Sequence, residues 1–197
     1  MTPEQTNPHP IDPDSDLTGK VLIAMPEMTD PRFAHSVVLV CAHGNDGAMG
    51  IVLNKPMEQM RFAKLLEMLG IETGGAVPDL PVRIGGPVEP VRGFLLHPAT
   101  GAEHEGTMAV GSGLELTTTR DMLVELAEGR GPERAILALG YAGWGPGQLD
   151  SEIRANGWLT AEMDHDHAFG DPGEVWLRAL QSLGVDPLLL SGAAGRA

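Results

Sequence analysis

The chain has 197 residues, 42% of them apolar but only 4% aromatic, and a formal charge of −14, with an isoelectric point near 4.7. That length predicts one domain with a sizeable core, and so acidic a chain disfavours phosphate backbones and anionic membranes as direct partners. The single cysteine, Cys41, excludes an intramolecular disulfide; with no signal-peptide pattern and no apolar run of membrane-spanning length, the expectation is a soluble, cytoplasmic protein.

Residues Met1 to Asp16 are rich in Pro, Asp, Asn and Thr and predict a disordered leader. Order is expected from Leu17, with one domain over 17–190 and a small flexible tail over 191–197. Val21–Ala24 predicts a first strand, and Asp30-Pro31 a turn. Ser36–Ala42, rich in β-branched residues, predicts a second strand, and Ala48–Leu53 a third. Between them His43 to Asp46 reads as a connection, and Gly44-Asn45-Asp46-Gly47 as a hairpin turn that pairs the two strands antiparallel. Asn54-Lys55-Pro56 ends the third strand. Phe62, Leu65, Leu66 and Leu69 follow helical spacing, and Gly70 stops that helix. Short strands are predicted over Val82–Ile84, Gly93–His97 and Thr107–Val110. Thr118 to Asp121 has capping-box character ahead of a helix carrying Met122, Leu123, Leu126 and Ala127.

The centre of the chain is Ala135 to Trp158. Ala135–Leu139 is an apolar run bounded by Arg134 and Gly140, which predicts a buried strand. Tyr141 to Gly147 holds two aromatics among glycines and reads as a tight loop. Gly145 and Pro146 fit the N-cap and first position of a helix with Leu149 and Ile153 inside and Gln148 and Glu152 on a neighbouring face. Gly157 stops it after Asn156. Trp158–Met163 predicts a strand. Asp171-Pro172-Gly173-Glu174 starts a last helix whose inner face is Val175, Trp176, Ala179, Leu180 and Leu183. Hairpin signals without strict strand–helix alternation predict an α+β fold: a single compact domain, a mixed, mainly antiparallel sheet, and about four helices packed on it.

Few residues signal chemistry. There is no P-loop, no dinucleotide glycine fingerprint and no nucleophile elbow, and no cofactor is expected. Gly111-Ser112-Gly113 is too short a pattern to support a serine nucleophile. Cys41 lies in an apolar strand and reads as an inert buried thiol. Gly85-Gly86 reads first as a structural turn, with an anion-cradling backbone as the sharper alternative. Asp164-His165-Asp166-His167 has metal-ligand types, and in an extended chain it would align both histidines; no third ligand is evident, so a solvated acidic loop is favoured and no metal is expected. Asn54-Lys55 is more simply a turn. Glu152 could act as a general base beside Trp144 and Gln148, but more simply its carboxylate satisfies N–H groups of the glycine loop.

The motifs resemble those of the YqgE/AlgH family of bacterial proteins. The resemblance rests on Gly19 to Pro26 with Met28 and Asp30, Phe33 with Ser36 to Val38, and Gly47 to Pro56. It continues in Gly85 to Val88, Leu96-His97, Gly140 to Trp144, Gln148-Leu149 with Glu152-Ile153, and Trp158. His167 departs from it, standing where an apolar residue is usual. The resemblance implies a compact α+β fold without an established activity; some members carry a transcriptional-regulator label. Three readings follow. The favoured one is a non-enzymatic regulatory or binding module acting through a protein partner or small ligand. The second is a small-molecule site, or an enzyme, in a pocket formed by Asn54, Gly85, Gly86, His97, Tyr141, Trp144, Gln148 and Glu152. The third, direct nucleic-acid binding, is disfavoured by the acidic charge and the lack of a basic stripe.

Overall fold

The computed structural model describes residues 16–101 and 105–187. The predicted tail and all of the predicted leader except Asp16 lie outside the described residues. In chain order the elements are β1 (Lys20–Ala24), β2 (Val37–Gly44), β3 (Gly47–Val52), β4 (Pro56–Arg61), α1 (Phe62–Met68), β5 (Pro81–Ile84) and β6 (Val88–Pro98). They continue with β7 (Thr107–Ala109), β8 (Leu114–Thr117), α2 (Arg120–Ala127), β9 (Ile136–Trp144), α3 (Gln148–Arg154), β10 (Trp158–Glu162), α4 (His165–Ala168) and α5 (Pro172–Ser182). The fold is a single α+β domain. Its four main helices pack on a curled sheet ordered β10-β1-β2-β3-β9-β6-β8-β7, with β5 against β9 and β4 against β5. Among the described residues every strand pairing is antiparallel except β5 with β9.

The central strands β1, β2 and β9 are apolar on both faces because both faces are covered. Val21, Ile23, Val37, Leu39 and Ile51 pack toward Val175, Ala179 and Leu180 of α5. Alternate residues Leu22, Val38, Val40 and Val52 pack toward Leu149 of α3, Trp144 and Trp158. A third cluster joins Phe62 and Leu66 of α1 and Met122 and Leu126 of α2 to Val82, Leu95, Leu137 and Leu139. Asp171 caps α5 as expected, its carboxylate accepting from the Gly173 N–H at 2.9 Å.

Several local expectations are corrected. His43 belongs to β2, and only Asn45 and Asp46 form the hairpin turn. Pro56–Arg61 is a strand at the sheet's edge, where a proline is tolerated. Leu114–Thr117 is a strand hidden by the glycines before it. β6 begins at Val88, five residues before the predicted start, with a register shift before Gly93. The Thr118–Asp121 capping box is not made: Thr119 is the N-cap without a side-chain bond, and the Thr118 hydroxyl donates to the Gly106 carbonyl at 3.3 Å. Asp164 to His167 is not extended. His165–Ala168 is one helical turn, Asp166 pairs with Arg134 at 2.9 Å, and His165 Nε2 donates to the Ser112 carbonyl.

The Tyr141–Trp144 segment is strand rather than loop, with Met49 opposite Gly143 and Ala48 opposite Trp144. The N-cap of α3 is Gly147 at φ 67°, not Gly145. At its end Asn156, at φ 57°, takes the left-handed position. The Asn156 and Gly157 N–H groups then bond back to Ile153 and Glu152, closing the helix.

Gly85-Gly86 has a structural use. Over Leu137–Leu139, β9 is flanked by β5 on one edge and β6 on the other, since both pair with the same residues. The chain must therefore pass from one edge of β9 to the other within Gly85 to Val88. It does so by laying Gly85-Gly86 directly on the backbone of Gly140-Tyr141. A Cβ on Gly85 would lie 2.2 Å from the Gly140 carbonyl oxygen, and one on Gly140 would lie 2.4 Å from that of Gly86. The Gly85 N–H and C=O are spent on Leu139 and Val52, at 2.8 Å each, so this residue has no free donor for an anion.

Cys41 is 1% exposed, and burial pushes its thiol from the ordinary 9.0 up to about 12. The folded state favours the protonated thiol. The resulting stability is complete below pH 9.0 and is lost as pH climbs toward 12. At about pH 8, native protein is expected to leave a thiol-specific reagent unreacted and to release one thiol on unfolding. Rapid reaction of the native state would contradict the burial.

Candidate ligand-binding cleft

One open cleft of about 420 Å³ lies where α3, the end of β9, the start of β6 and the 28–33 turn converge. Its aromatic wall is built by three rings. Phe33 stacks on Trp144 with centroids 6.4 Å apart, and Phe33 and Trp144 each meet Trp158 edge-on, at 5.6 and 6.1 Å. Such offset and edge-on arrangements are the favoured geometries for aromatic pairs.

Glu152 ties the wall together. One carboxylate oxygen, Oε2, accepts both indole N–H groups, from Trp144 at 3.0 Å and Trp158 at 2.8 Å. The other accepts the Gln148 amide at 2.9 Å. Helical geometry makes this possible, because Gln148 and Glu152 stand one turn apart on α3. Glu152 therefore does not bond the loop N–H groups directly. Gln148 does so for it, its Oε1 accepting from the Gly145 N–H at 3.0 Å. With three donors converging on it, Glu152 is a structural acceptor placed beside an open cleft.

The opposite rim is the 28–33 turn. Asp30 accepts a forked pair of bonds from Arg32 Nε and Nη2, at 3.0 and 2.7 Å. The Arg32 side chain, with the Arg32 backbone N–H, holds the Asp30 carboxyl below its ordinary value, and the same pairing raises Arg32. The Arg32 guanidinium carbon lies 5.8 Å from the Phe33 ring centre. Met28, Pro87, Val88, Gly157 and the exposed Gly143 and Ala155 complete the lining.

Of the eight sequence candidates, Trp144, Gln148 and Glu152 meet in this cleft and the other five do not line it. Asn54 is buried; its Oδ1 accepts from the Val37 N–H at 2.8 Å and its Nδ2 donates to the His35 carbonyl at 2.9 Å. Lys55 donates to the Ala34 carbonyl. The two residues thereby anchor the end of the turn that carries Phe33. Gly85 and Gly86 form the crossover. His97 is wholly buried: Nδ1 donates to the Pro98 carbonyl and Nε2 faces Thr117 Oγ1, each at 2.9 Å. Tyr141 packs into a different core cluster from Trp144, meeting Phe94 edge-on at 5.9 Å. Three of the eight residues expected in one pocket thus share this cleft, beside new neighbours. Asp30, Arg32, Phe33 and Trp158 were not among the candidates, since sequence places Asp30 to Phe33 more than a hundred residues from Trp144. For Asp30, Phe33 and Trp158 the signal was their presence in the same motif set as Trp144 and Glu152; Arg32 had none.

Among the described residues, no cluster of three or more His, Cys, Asp or Glu is arranged to hold a metal, and no helix is long and apolar enough to cross a membrane.

The chain resembles known proteins over nearly its full length. It is 56% identical to a UPF0301 protein of Paracoccus denitrificans over 191 residues, covering 95% of this chain and all of that one. It is 52% identical to a UPF0301 protein of Ruegeria pomeroyi over 185 residues, covering 92% and 100%. The solution structure of the AlgH protein from Pseudomonas aeruginosa superimposes with a TM-score of 0.74 at 39% identity, covering 93% of this chain and 97% of that one. A crystal structure from Corynebacterium diphtheriae shares the fold, with a TM-score of 0.73 at 20% identity over 92% and 94% of the two chains. A family model described as AlgH-like matches residues 21–188, which span the sheet, the crossover glycines and every wall of the cleft, and the chain belongs to that AlgH-like family.

Proposed function

We propose that this protein is a non-enzymatic binding module of the cytoplasm. It takes a small ligand in the aromatic cleft, and the occupied state acts through a protein partner, with transcriptional regulation as one outcome. The observation that carries this reading is the coexistence of an open cleft of about 420 Å³ with a Glu152 carboxylate that already accepts three protein donors. A volume of this size suits a metabolite. A carboxylate accepting three protein donors is poorly placed to take a proton from a substrate. The net charge of −14 argues for an indirect route to any effect on DNA.

The tryptophans provide the test. Trp144 and Trp158 wall the cleft, whereas the Trp176 indole donates to the Ala24 carbonyl at 2.8 Å and does not line it. Indole N–H signals followed by NMR during a metabolite screen are expected to reveal ligands that shift Trp144 and Trp158 and leave Trp176 in place. Turnover of any compound, lost in Glu152→Gln without loss of stability, would overturn the reading in favour of an enzyme.

A further inference from the structure

We propose that the cleft selects an organic cation, a quaternary or methylated ammonium group, carried by a free metabolite or by a modified side chain. This rests on the cleft being the ligand site. The first argument is the chemistry of the wall. Phe33, Trp144 and Trp158 line the cleft, Phe33 half-buried and the two tryptophans 7% and 3% exposed; the faces of such rings are electron-rich, and cations are drawn to them. Each indole gives its electropositive N–H edge to Glu152 Oε2, at 3.0 and 2.8 Å. A carboxylate at that edge pushes electron density into the ring and sets a negative charge behind the faces.

The second argument concerns which cations fit. A metal ion bound directly by protein needs oxygen lone pairs, and Glu152 has already committed three of its acceptor positions to Trp144, Trp158 and Gln148. A soft cation with methyl substituents needs none, because it binds through ring faces and the field of the charge. The third argument is that the rim already holds such an arrangement. The Arg32 guanidinium lies 5.8 Å from the Phe33 centroid while its charge is balanced by Asp30. Asp30 and Arg32 cancel, so Glu152 leaves the cleft negative within a chain of charge −14. That field attracts cations and repels carboxylate and phosphate ligands.

The experiment titrates the full chain with choline and with its uncharged tert-butyl analogue, in which carbon replaces nitrogen, at matched ionic strength in sodium chloride. The Trp144 and Trp158 indole signals are expected to shift with choline at concentrations about tenfold below those needed for the analogue. Glu152→Gln keeps an acceptor oxygen but no charge, and is expected to erase that preference, with the Trp176 signal reporting an intact fold. Ala155→Trp, a change at an exposed residue of the lining, is expected to block both ligands. An acetylated trimethyl-lysine amide that binds more tightly than choline would identify a protein side chain as the source; the reverse order would identify a free metabolite. Equal binding of the uncharged analogue would overturn the cation assignment and leave the cleft as a binding site. Shifts reproduced by sodium chloride alone would also overturn the assignment. Failure of every compound, in this titration and in the metabolite screen, would remove the cleft itself.

Discussion

Glu152→Ala is expected to destabilise the fold by about 2–4 kcal/mol, an effect far larger than its partial exposure suggests. The reason is what the carboxylate leaves behind. Trp144 and Trp158 are 7% and 3% exposed, so their indole N–H groups have little water to turn to. A buried donor without a partner costs about 1–3 kcal/mol, and this change orphans two. It also frees Gln148, and with it the bond that closes the Gly145 turn. Glu152→Gln retains one oxygen for the indoles and is expected to recover more than half of the loss. Urea denaturation of the three proteins checks both statements. A Glu152→Ala protein as stable as the parent would remove the structural assignment and return Glu152 to the list of candidate catalysts.

Gly86→Ala is expected to be the most damaging small substitution in the chain. A Cβ there would lie 2.0 Å from the Tyr141 carbonyl carbon and 2.3 Å from the Ala142 nitrogen. Both are backbone atoms of the strand around which the sheet is built, and neither can retreat without breaking β9 pairings. A loss of at least about 4 kcal/mol, seen as insoluble protein or a lost cooperative transition, follows from overpacking that no rotamer can relieve. Gly143→Ala is the matched control on the same strand. Its Cβ would meet Tyr141 at 3.5 Å and Val88 at 3.7 Å, ordinary contacts. A change below about 1 kcal/mol is expected there. If the two variants melted alike, the crossover would not be the reason for the glycines.

The comparison of these two glycines shows how far local signals reach. Glycine in a sequence announces either freedom of the backbone or absence of a side chain, and the two look identical. Four glycines around Tyr141 and Trp144 therefore read as a loop, although Gly140 and Gly143 lie inside a strand. Gly140 is required by its φ of 74° and by the chain crossing over it. That crossing involves residues about fifty-five positions earlier, which no local window includes.

Hydrophobic periodicity carried the rest of the fold. The helical spacing of Phe62, Leu65 and Leu66, the Asp171-Pro172 start and the hairpin at Asn45-Asp46 depend on neighbours within one or two turns of chain. They appear in the structure where the sequence places them. The α+β class follows from the same local signals. The strand Leu114–Thr117 and the edge strand Pro56–Arg61 escaped because each is short and flanked by glycine or proline.

By itself, then, the sequence determined the fold class, most of the elements and the family, since each depends on local spacing or on short motifs. Only the tertiary structure decided that Gly85-Gly86 crosses a strand and that Asn54 holds a turn. It also decided that His97 is spent in the core, and that Glu152 gathers two tryptophans and a glutamine into the wall of a cleft. The physical reason is that a hydrogen bond or a steric contact is a relation between two atoms, and chain order leaves the second atom undetermined until the sheet has closed.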